Sequence, residues 1–557
     1  MNIFLLILAW LLPLVLVPLA GQRYASRITV IAPLPALLAA SMVPVGSSVS
    51  LPWLLLGMEL GLDDTGRVFL FFSGLLWLVA SLYAAGSQAG DSKATRFRIF
   101  FLLAMAGNLG LIVAMDAISF YLGFTLMGLA VYGLIAHPAS QHARQAARRY
   151  LVWTIAGEML LFVAVVMLAA QHNGIASFSI LQSSPPGGFV MLLFLTGFGI
   201  KLALPGLHLW LPQAYAVTPI PAVAVLSGAM IKAGLLGWLR FLPPGDAVLV
   251  NWGQVLLVTG ITGICFGAIA GLLQHTPRLL LGYSSISKMG VLTTGMGAAL
   301  AWPGTAQVII VAVVMYAAHH AMVKGALFLG LGLVERNGLS PWVQAGLVFL
   351  AFALAGAPLT SGAFAKSVLT ASLPQGAQYL VLLLAVSAFA TTLLMARFLF
   401  LVWRQGSSKA SPLPAESRIA WLILLAIIAV FPFVIAEAGQ LMANAMPVLL
   451  GMLLSALVLL AAGRFPVQAT SRTRRRVTGG LVLRCRFLTR DLLCRGALVV
   501  ETVRSALRNH YARVQQSVEQ LVLPLSRASD ADISWQLAGG LWLLIAVLLL
   551  TGLILSI

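Results

Sequence analysis

The sequence predicts an all-α polytopic membrane protein of about sixteen transmembrane helices, with two inverted five-helix repeats that contain broken helices. Two observations predict this class: 60% of the 557 residues are hydrophobic and 9% are charged, and the mean hydropathy is +0.99. A water-facing surface would need roughly a quarter of its residues charged. The composition therefore excludes secreted disulfide scaffolds, disordered chains and ordinary cytosolic enzymes.

A transmembrane helix needs about 20 apolar residues. Runs of that kind predict spans at 3–20, 27–45, 66–86, 98–114, 116–136, 147–170, 188–204, 219–242, 252–273, 278–298, 305–332, 343–371, 377–402, 418–436, 441–463 and 534–556. The first run has no basic flank and no small-residue cleavage site, so we expect it to be a retained span.

Charge predicts the topology. The 34 Lys and Arg against 15 Asp and Glu give a net charge of +19, which in a soluble protein would suggest a nucleic-acid partner. Here most Arg lies in short links between apolar runs, as the positive-inside rule describes, so we expect no nucleic acid. We predict that both termini lie outside, because this places the following basic residues inside: Arg23, Arg27, Lys93, Arg96, Arg98, Arg144, Arg148, Arg149, Arg278, Arg336, Arg404 and Lys409.

A basic segment at 464–533 separates the last two predicted spans. Eleven arginines between Arg472 and Arg513 alternate with Leu, Val and Ala at helical spacing, which predicts an amphipathic helix on the cytoplasmic surface. If about 45 residues form one helix, it would reach roughly 65 Å and could brace several spans or a neighbouring subunit. Attachment to anionic lipid is an equal alternative.

Lysine is distributed differently from arginine. Five of the seven lysines fall in or close to predicted spans: Lys201, Lys232, Lys288, Lys324 and Lys366. Unpaired, they would cost about 2.5 to 3.5 kcal/mol each at the bilayer centre. Since a buried lysine can exchange protons where arginine cannot, the pattern predicts a proton relay. Snorkelling to an interface is the alternative, strongest for Lys288 at the start of its span.

Acids and histidines add candidates. Glu158 lies deep in a span and is the expected counter-ion for an interior lysine, whereas Asp116 lies near an outer end. His319 and His320 precede Lys324, and the i, i+4 spacing places His320 and Lys324 on one helix face. Haem ligation is the less favoured interpretation of these histidines, because no other cofactor motif is present.

Two predicted spans are interrupted near a lysine. Pro205 and Gly206 follow Lys201, and the segment LAGAPLTSGAFAK precedes and includes Lys366. Proline and glycine break the helical ladder, which is tolerated in a membrane only within protein or beside a wet cavity. Lys201 and Lys366 lie 165 residues apart, as do Lys232 and Arg397. An offset that covers five helices predicts inverted-topology repeats.

Several segments resemble one family of membrane proteins. The run FGIKLALPGLHLWLPQAYAVTPIPAVAVLSGAMIKAG is followed in the same order by LLQHTPRLLLGYSSISKMG, HHAMVKGALFLG and LAGAPLTSGAFAK, and preceded by MDAISFYLGFTLMGLAVYGLIA. These runs resemble the antiporter-like subunits of respiratory complex I (subunits L, M and N), of membrane-bound hydrogenases and formate hydrogenlyase, and of Mrp antiporters. The membrane subunit of two-component inorganic carbon transporters belongs to the same superfamily.

The resemblance implies a role for each matching residue. Lys201 would be the lysine of an acid–lysine pair, Lys232 the bridging lysine, His320 and Lys324 part of a central hydrophilic axis, and Lys366 the exit-side lysine. The family's pairing glutamate falls at Thr125, which cannot carry charge. Either Glu158, one helix later, replaces it, or the pair is broken, which leaves a channel-like role or an acid supplied by a partner subunit. The relay is therefore predicted to contain Glu158, Lys201, Lys232, Lys288, His319, His320, Lys324 and Lys366, with supporting roles for Asp116, Thr125, His208 and Arg397.

The same comparison predicts the domain organisation. The expected segments are 1–97 N-terminal transmembrane helices, 98–242 first antiporter-like half, 243–410 second inverted half, 411–463 accessory transmembrane helices, 464–533 basic amphipathic lateral helix and 534–557 C-terminal transmembrane anchor.

The leading hypothesis is a proton-conducting subunit of a multi-subunit energy-converting complex in the bacterial cytoplasmic membrane. Its partners would be a redox or hydrogenase-like module, or, in the inorganic carbon alternative, a zinc-containing carbonic anhydrase-like subunit. A Na⁺ or K⁺/H⁺ antiporter subunit and a structural membrane scaffold are further alternatives. Because the three cysteines show no CxxC, CxxCH or cluster spacing, we expect no metal and no cofactor in this chain, which itself catalyses no bond chemistry that we can identify.

Overall fold

The computed structural model describes residues 3–464, except 53, 55–56, 89, 173–176, 183–184, 405–413, 436–439 and 441–444. The predicted lateral helix at 464–533 and the predicted last span at 534–556 lie outside the described residues, apart from the backbone of Arg464. Lys409, Cys485 and Cys494 also lie outside them.

The described chain is almost entirely helical. Its α-helices are α1 Phe4–Val15, α2 Ala25–Ile31, α3 Leu34–Met42, α4 Asp64–Ser87, α5 Ala94–Val113, α6 Ala117–Ile135, α7 Gln141–Gln171, α8 Phe178–Leu181, α9 Gly188–Leu202, α10 Leu211–Val217, α11 Ile220–Gly228, α12 Ala233–Phe241, α13 Val250–Leu272, α14 Pro277–Ala301, α15 Ala306–Asn337, α16 Pro341–Ala355, α17 Ser361–Ala371, α18 Gln378–Arg404, α19 Ala415–Ile435 and α20 Ala445–Arg464. An antiparallel hairpin of β1 Ser47–Leu51 and β2 Met58–Leu62 lies between α3 and α4.

Ten helical segments of the described chain are long and apolar enough to cross a membrane, and four apolar helices are shorter. The all-α membrane fold is therefore confirmed, while the expected number of sixteen spans is not. The 25-residue α14 is absent from both groups although nearly every residue in it is buried. Its serines, threonines and lysine lower its hydropathy, which suits a helix surrounded by protein rather than lipid.

Both predicted helix breaks are present. α9 ends at Leu202 with Ala203 in the left-handed conformation (φ 55°), and the chain becomes helical again at Leu211. α16 ends at Ala355 with Gly356 left-handed (φ 83°), and α17 begins at Ser361. The two left-handed residues are 153 positions apart rather than 165. Lys201 therefore lies just before its break, whereas Lys366 lies ten residues after Gly356.

A third interruption was not predicted. The expected continuous span at 219–242 is two helices, α11 and α12, joined by a 3₁₀ turn at Met230–Lys232. Gly228 and Gly234 flank this turn, and glycine is a weak helix former. The two glycines were the sequence signal for this interruption. The segment contains no proline between them, so the break was not predicted.

Ion pairs tie helix ends together at two opposite sides of the molecule. Beside the β-hairpin, buried Arg240 binds the Asp63 carboxylate through two hydrogen bonds of 2.7 and 2.8 Å. Asp63 also caps α4 by accepting from Gly66 N. Because a planar guanidinium matches a carboxylate in bidentate geometry, this pair joins α4 firmly to the end of α12.

On the other side, His137 and Asp91 are joined at 2.9 Å and Arg278 and Glu335 at 2.6 Å. Three cavities of about 260, 380 and 470 Å³ adjoin here and share Gln88. Their walls include Lys93, Arg278 and Arg336, so links predicted to share one side of the membrane do meet.

Asp91 lies in the link before α5, outside the helices. Burial acts to raise its pKa, but hydrogen bonds from Lys93 N and His137, together with the charges of both residues, lower the pKa overall below 3.8. This contribution to stability is present above the ordinary pKa and is lost as pH falls through the lowered value.

We predict that Asp63→Asn lowers the thermal stability of the detergent-solubilised protein. Asparagine keeps the helix cap but removes the charge that faces buried Arg240, at an expected cost of about 1.5 to 3 kcal/mol. Exposed Asp64, in the first turn of the same helix, provides the matched control Asp64→Asn. Equal melting temperatures for the two variants in fluorescence-detected size-exclusion chromatography would contradict this role.

Candidate functional site

The predicted relay residues are buried together inside the helical body. The exposed fraction is 0% for Lys232, Lys288, Lys324 and His320, 2% for Glu158 and Lys366, and 4% for Lys201 and His319. The interface position considered for Lys288 is therefore wrong. Its Nζ atom instead donates to Thr391 Oγ1 on α18 at 2.5 Å.

Three of the lysines lie at the C-terminal ends of interrupted helices. Lys201 is in the last turn of α9, and Lys232 Nζ donates to Ser227 O in the last turn of α11 at 2.7 Å. Lys366 folds back from α17 and donates to Ala355 O, the last residue of α16. The final carbonyls of a helix have no intrahelical donor and carry the negative end of its dipole. Each break therefore creates a site for a cation.

His319 and His320 differ in their surroundings. His319 Nδ1 lies 3.0 Å from Ser361 Oγ at the start of α17, and its ring contacts Tyr316. Both ring nitrogens of His320, and Nζ of Lys324 one turn later, are buried without a hydrogen-bond partner in the described structure. Buried polar groups are normally hydrogen-bonded, so these atoms mark a place suited to transient water or proton exchange.

Electrostatic interactions divide the charged groups into two sets. Lys201 interacts with Glu158. The other lysines interact in consecutive pairs, which gives the order Lys232, Lys324, Lys288, Lys366. His319 and His320 interact with several members of this second set. Within the described chain, none of its four ammonium groups forms an ion pair with a carboxylate.

Glu158 and Lys201 are electrostatic partners but do not form a direct salt bridge. Lys201 Nζ donates to the Tyr150 hydroxyl at 3.3 Å and lies 5.3 Å from the centre of the Phe124 ring. Glu158 Oε1 is buried and accepts no hydrogen bond. The pair is therefore separated in this conformation, with the lysine held by a hydroxyl and an aromatic face.

The Glu158 carboxylate occupies a space that Gly128 leaves open. A Cβ atom at Gly128 would collide with Glu158 Oε1 and approach Thr154 Cγ2 to 3.0 Å. Gly128 lies one turn after Thr125 on α6, so the two share a helix face. Glu158 on α7 thus brings its carboxylate to the face of α6 that carries Thr125.

The predicted supporting residues lie apart from the lysines. Asp116 accepts from Ser119 N and Glu59 N and caps α6 beside the hairpin. Arg397 donates to Gln274 O in the link between α13 and α14. His208 is buried in the segment between α9 and α10, where its ring packs on Phe266 at 4.7 Å. Each of these contacts therefore fixes the end of a helix or a link between helices.

The sequence did not single out several residues of the site. Tyr150 and Thr391 receive hydrogen bonds from Lys201 and Lys288, and Ser361 contacts His319. Tyr150 lies eight residues before Glu158, on the same face of α7, which is the signal that could have identified it. Thr391 and Ser361 are distant in sequence from their partners, so nothing local indicated them.

Among the described residues, no three His, Cys, Asp or Glu side chains are grouped as metal ligands would be. The site instead consists of buried amines, imidazoles, hydroxyls and one carboxylate. Such groups can hold and exchange protons.

Residues 114–393 match the transmembrane family described as NADH:quinone oxidoreductase/Mrp antiporter. NADH-quinone oxidoreductase subunit N of Desulforudis audaxviator is 30% identical over 390 residues, which are 65% of this chain and 75% of that protein. Hydrogenase-4 component B of Escherichia coli is 26% identical over 55% of this chain, which spans about half (49%) of that relative. A chain of the archaeal membrane-bound sulfane sulfur reductase has the same fold, with a TM-score of 0.70 at 22% identity, over 97% of this chain and 99% of that one. This chain therefore belongs to the NADH:quinone oxidoreductase/Mrp antiporter transmembrane family.

Proposed function

We propose that this chain is a proton-translocating subunit of a multi-subunit energy-converting membrane complex. Protons move along Glu158, Lys201, Lys232, His320, Lys324, Lys288 and Lys366, with His319 beside the last two lysines. The observation that carries this proposal is the burial of four lysines, Lys232, Lys288, Lys324 and Lys366, none of which pairs with a carboxylate of the described chain. A static structural role would not require four uncompensated amines in one interior.

The physical basis of transport is repulsion between neighbouring ammonium groups. Two unit charges about 8 Å apart interact by about 2 kcal/mol at an effective dielectric constant of 20. Protonation of one lysine therefore disfavours protonation of the next, and a proton that enters at one end displaces another along the order. Glu158 and Lys201 form the separate pair that switches between charged and neutral states before the proton reaches Lys232.

The relatives favour membrane partners for this chain. One relative is an NADH-quinone oxidoreductase subunit and another a hydrogenase component, so we propose a redox or hydrogenase-like module as the driving partner. The alternative is a zinc-containing carbonic anhydrase-like partner, with which the chain would take part in inorganic carbon uptake. The residues of this chain fit both kinds of partner. Cation antiport is a further alternative, favoured by the Mrp antiporters in the matched family.

The proposed location is the bacterial cytoplasmic membrane with both termini outside. In this orientation the cavities beside Asp91, Arg278 and Glu335 open to the cytoplasm. The six segments from 1–97 to 534–557 and the lateral helix at 464–533 remain predictions, the latter as a brace along the complex.

Purification of the full chain from its native membrane tests the assignment. Co-purifying redox subunits support the leading proposal, a zinc protein supports inorganic carbon uptake, and small antiporter-like subunits support cation exchange. Full activity of the isolated monomer would contradict a multi-subunit role.

We predict that Lys232→Ala and Lys324→Ala each lower proton flux by the reconstituted complex roughly 100-fold, because each removes one carrier from the order. Lys93→Gln, in an exposed link, is the matched lysine control and should retain wild-type flux. Flux is measured with a pH-sensitive dye inside proteoliposomes, alongside subunit composition. Normal flux in both interior variants, with the complex assembled, would favour the scaffold alternative.

We predict that Gly128→Ala reduces flux by roughly tenfold or more, because the added methyl group displaces the Glu158 carboxylate. The double variant Gly128→Ala with Glu158→Asp should recover part of the loss, since the shorter side chain leaves room for the methyl group. Gly188→Ala, at the start of α9, is the control, because its Cβ would meet its nearest neighbour, Trp252 Cζ2, at an ordinary contact distance of 3.9 Å. The role of Gly128 is wrong if both glycine variants behave alike.

A further inference from the structure

Three side chains of α7 converge on a single glycine of α6. Tyr150, Thr154 and Glu158 are spaced four residues apart and therefore lie on one helix face. The Tyr150 hydroxyl donates to Gly128 O at 3.0 Å, while Thr154 Cγ2 and Glu158 Oε1 are the nearest atoms to the Cβ position of Gly128. Tyr150, Thr154 and Glu158 thus line one face of α7, and in this conformation Thr154 turns its methyl group toward Gly128.

One end of this face reaches Lys201. The Tyr150 hydroxyl accepts a hydrogen bond from Lys201 Nζ at 3.3 Å, and Thr154 lies one turn after Tyr150 on the same face of α7. The Tyr150 ring is held edge-on against Trp210, whose Nε1 donates to Ile200 O beside the helix break at 2.8 Å. The tyrosine is therefore fixed on the same broken segment that positions Lys201.

A small cavity lies beside this face. It has a volume of about 10 Å³, and Thr154 and Lys201 are among the residues that line it. That volume is at the lower limit for one water molecule. The cavity is too small for a chain of water molecules. A proton would therefore pass between the Lys201 amine and the Glu158 carboxylate through the hydroxyl side chains or, alternatively, through a single water molecule.

We propose that the hydroxyls of Tyr150 and Thr154 form the bridge that passes a proton between Lys201 and Glu158. This inference rests on the proposed function and identifies how its acid–lysine pair communicates without a salt bridge. The Tyr150 O–H group turns from Gly128 O toward Thr154, and the Thr154 side chain rotates so that its hydroxyl, rather than its methyl group, faces Glu158. Lys201 then gives a proton to the Tyr150 oxygen, Tyr150 gives its own proton to Thr154, and Thr154 gives its own to the Glu158 carboxylate.

The transfer is balanced and leaves both hydroxyls unchanged. Lys201 goes from ammonium to amine and Glu158 from carboxylate to carboxylic acid, so the charges of the pair disappear together. The reverse transfer restores both charges. No redox partner or additional reactant is required.

The first test is Tyr150→Phe in the full complex. Removal of one oxygen atom keeps the ring against Trp210 but interrupts the bridge, and we expect proton flux to fall roughly tenfold. Tyr132→Phe, an exposed position on α6, is the matched control and should keep wild-type flux. Flux within about twofold of wild type in Tyr150→Phe would overturn the proposal and favour the single water as carrier.

Two variants of Thr154 distinguish a role of its hydroxyl in proton transfer from a role of its side chain in packing. Thr154→Ser keeps the hydroxyl and loses the methyl group, whereas Thr154→Val keeps the shape and loses the hydroxyl. We expect flux to persist in the serine variant and to fall several-fold in the valine variant. The opposite order would show that the methyl group matters and would overturn the bridge. This pair also decides the question if Tyr150→Phe fails to assemble.

A double-mutant cycle distinguishes failure of the bridge from failure of the relay. If Glu158→Gln already stops transfer, adding Tyr150→Phe should lower the residual flux by less than about twofold. Independent, multiplying losses would contradict the bridge. Normal flux in Glu158→Gln and Lys201→Ala would instead overturn the proposed function itself, whatever the result for Tyr150.

Discussion

The site depends on the attraction between lysine ammonium groups and the carbonyl ends of interrupted helices. A continuous helix in a membrane satisfies its backbone internally and offers nothing to a cation. α11 and α16 end inside the protein, and carbonyls of their last turns accept hydrogen bonds from Lys232 and Lys366. Lys201 belongs to the last turn of α9, but its amine donates to the Tyr150 hydroxyl instead. The dipole and the free carbonyls offset part of the cost of a buried amine, which lets the interior contain cations without matching acids.

These oxygens stabilise the lysine ammonium groups only in part, and the lysines can therefore gain or lose a proton. A carboxylate beside each lysine would fix its charge, because a buried ion pair resists the loss of either partner. Carbonyl and hydroxyl oxygens can accept a hydrogen bond from either the ammonium or the neutral amine. Lys324, without any such partner in the described structure, lies between Lys232 and Lys288 in the electrostatic order. The lysine with the fewest stabilising contacts, Lys324, is thus in the middle of the order and not at either end of it.

The sequence alone was sufficient to predict those features that depend on the residues of one continuous segment. Hydropathy predicted the membrane fold, lysine placement predicted the buried set, and proline with glycine predicted two of the three helix breaks. The turn at Met230–Lys232 lacks proline and was missed. The hydroxyl partners Tyr150 and Thr391 were missed because such contacts depend on how helices pack, which leaves no periodic signal in either helix.

The position of Glu158 shows how a helical bundle can lose an acid from one helix and keep it in the site. Thr125 stands where the family resemblance places a glutamate on α6, and Gly128 follows one turn later on that face. A glycine there admits a carboxylate from the facing helix, and Glu158 fills that space. In this position the Glu158 carboxylate is separated from Lys201, whose ammonium group contacts Tyr150 and Phe124 instead. An acid moved to α7 therefore needs an intermediate group to exchange protons with the lysine, and α7 itself carries hydroxyls at the two preceding turns.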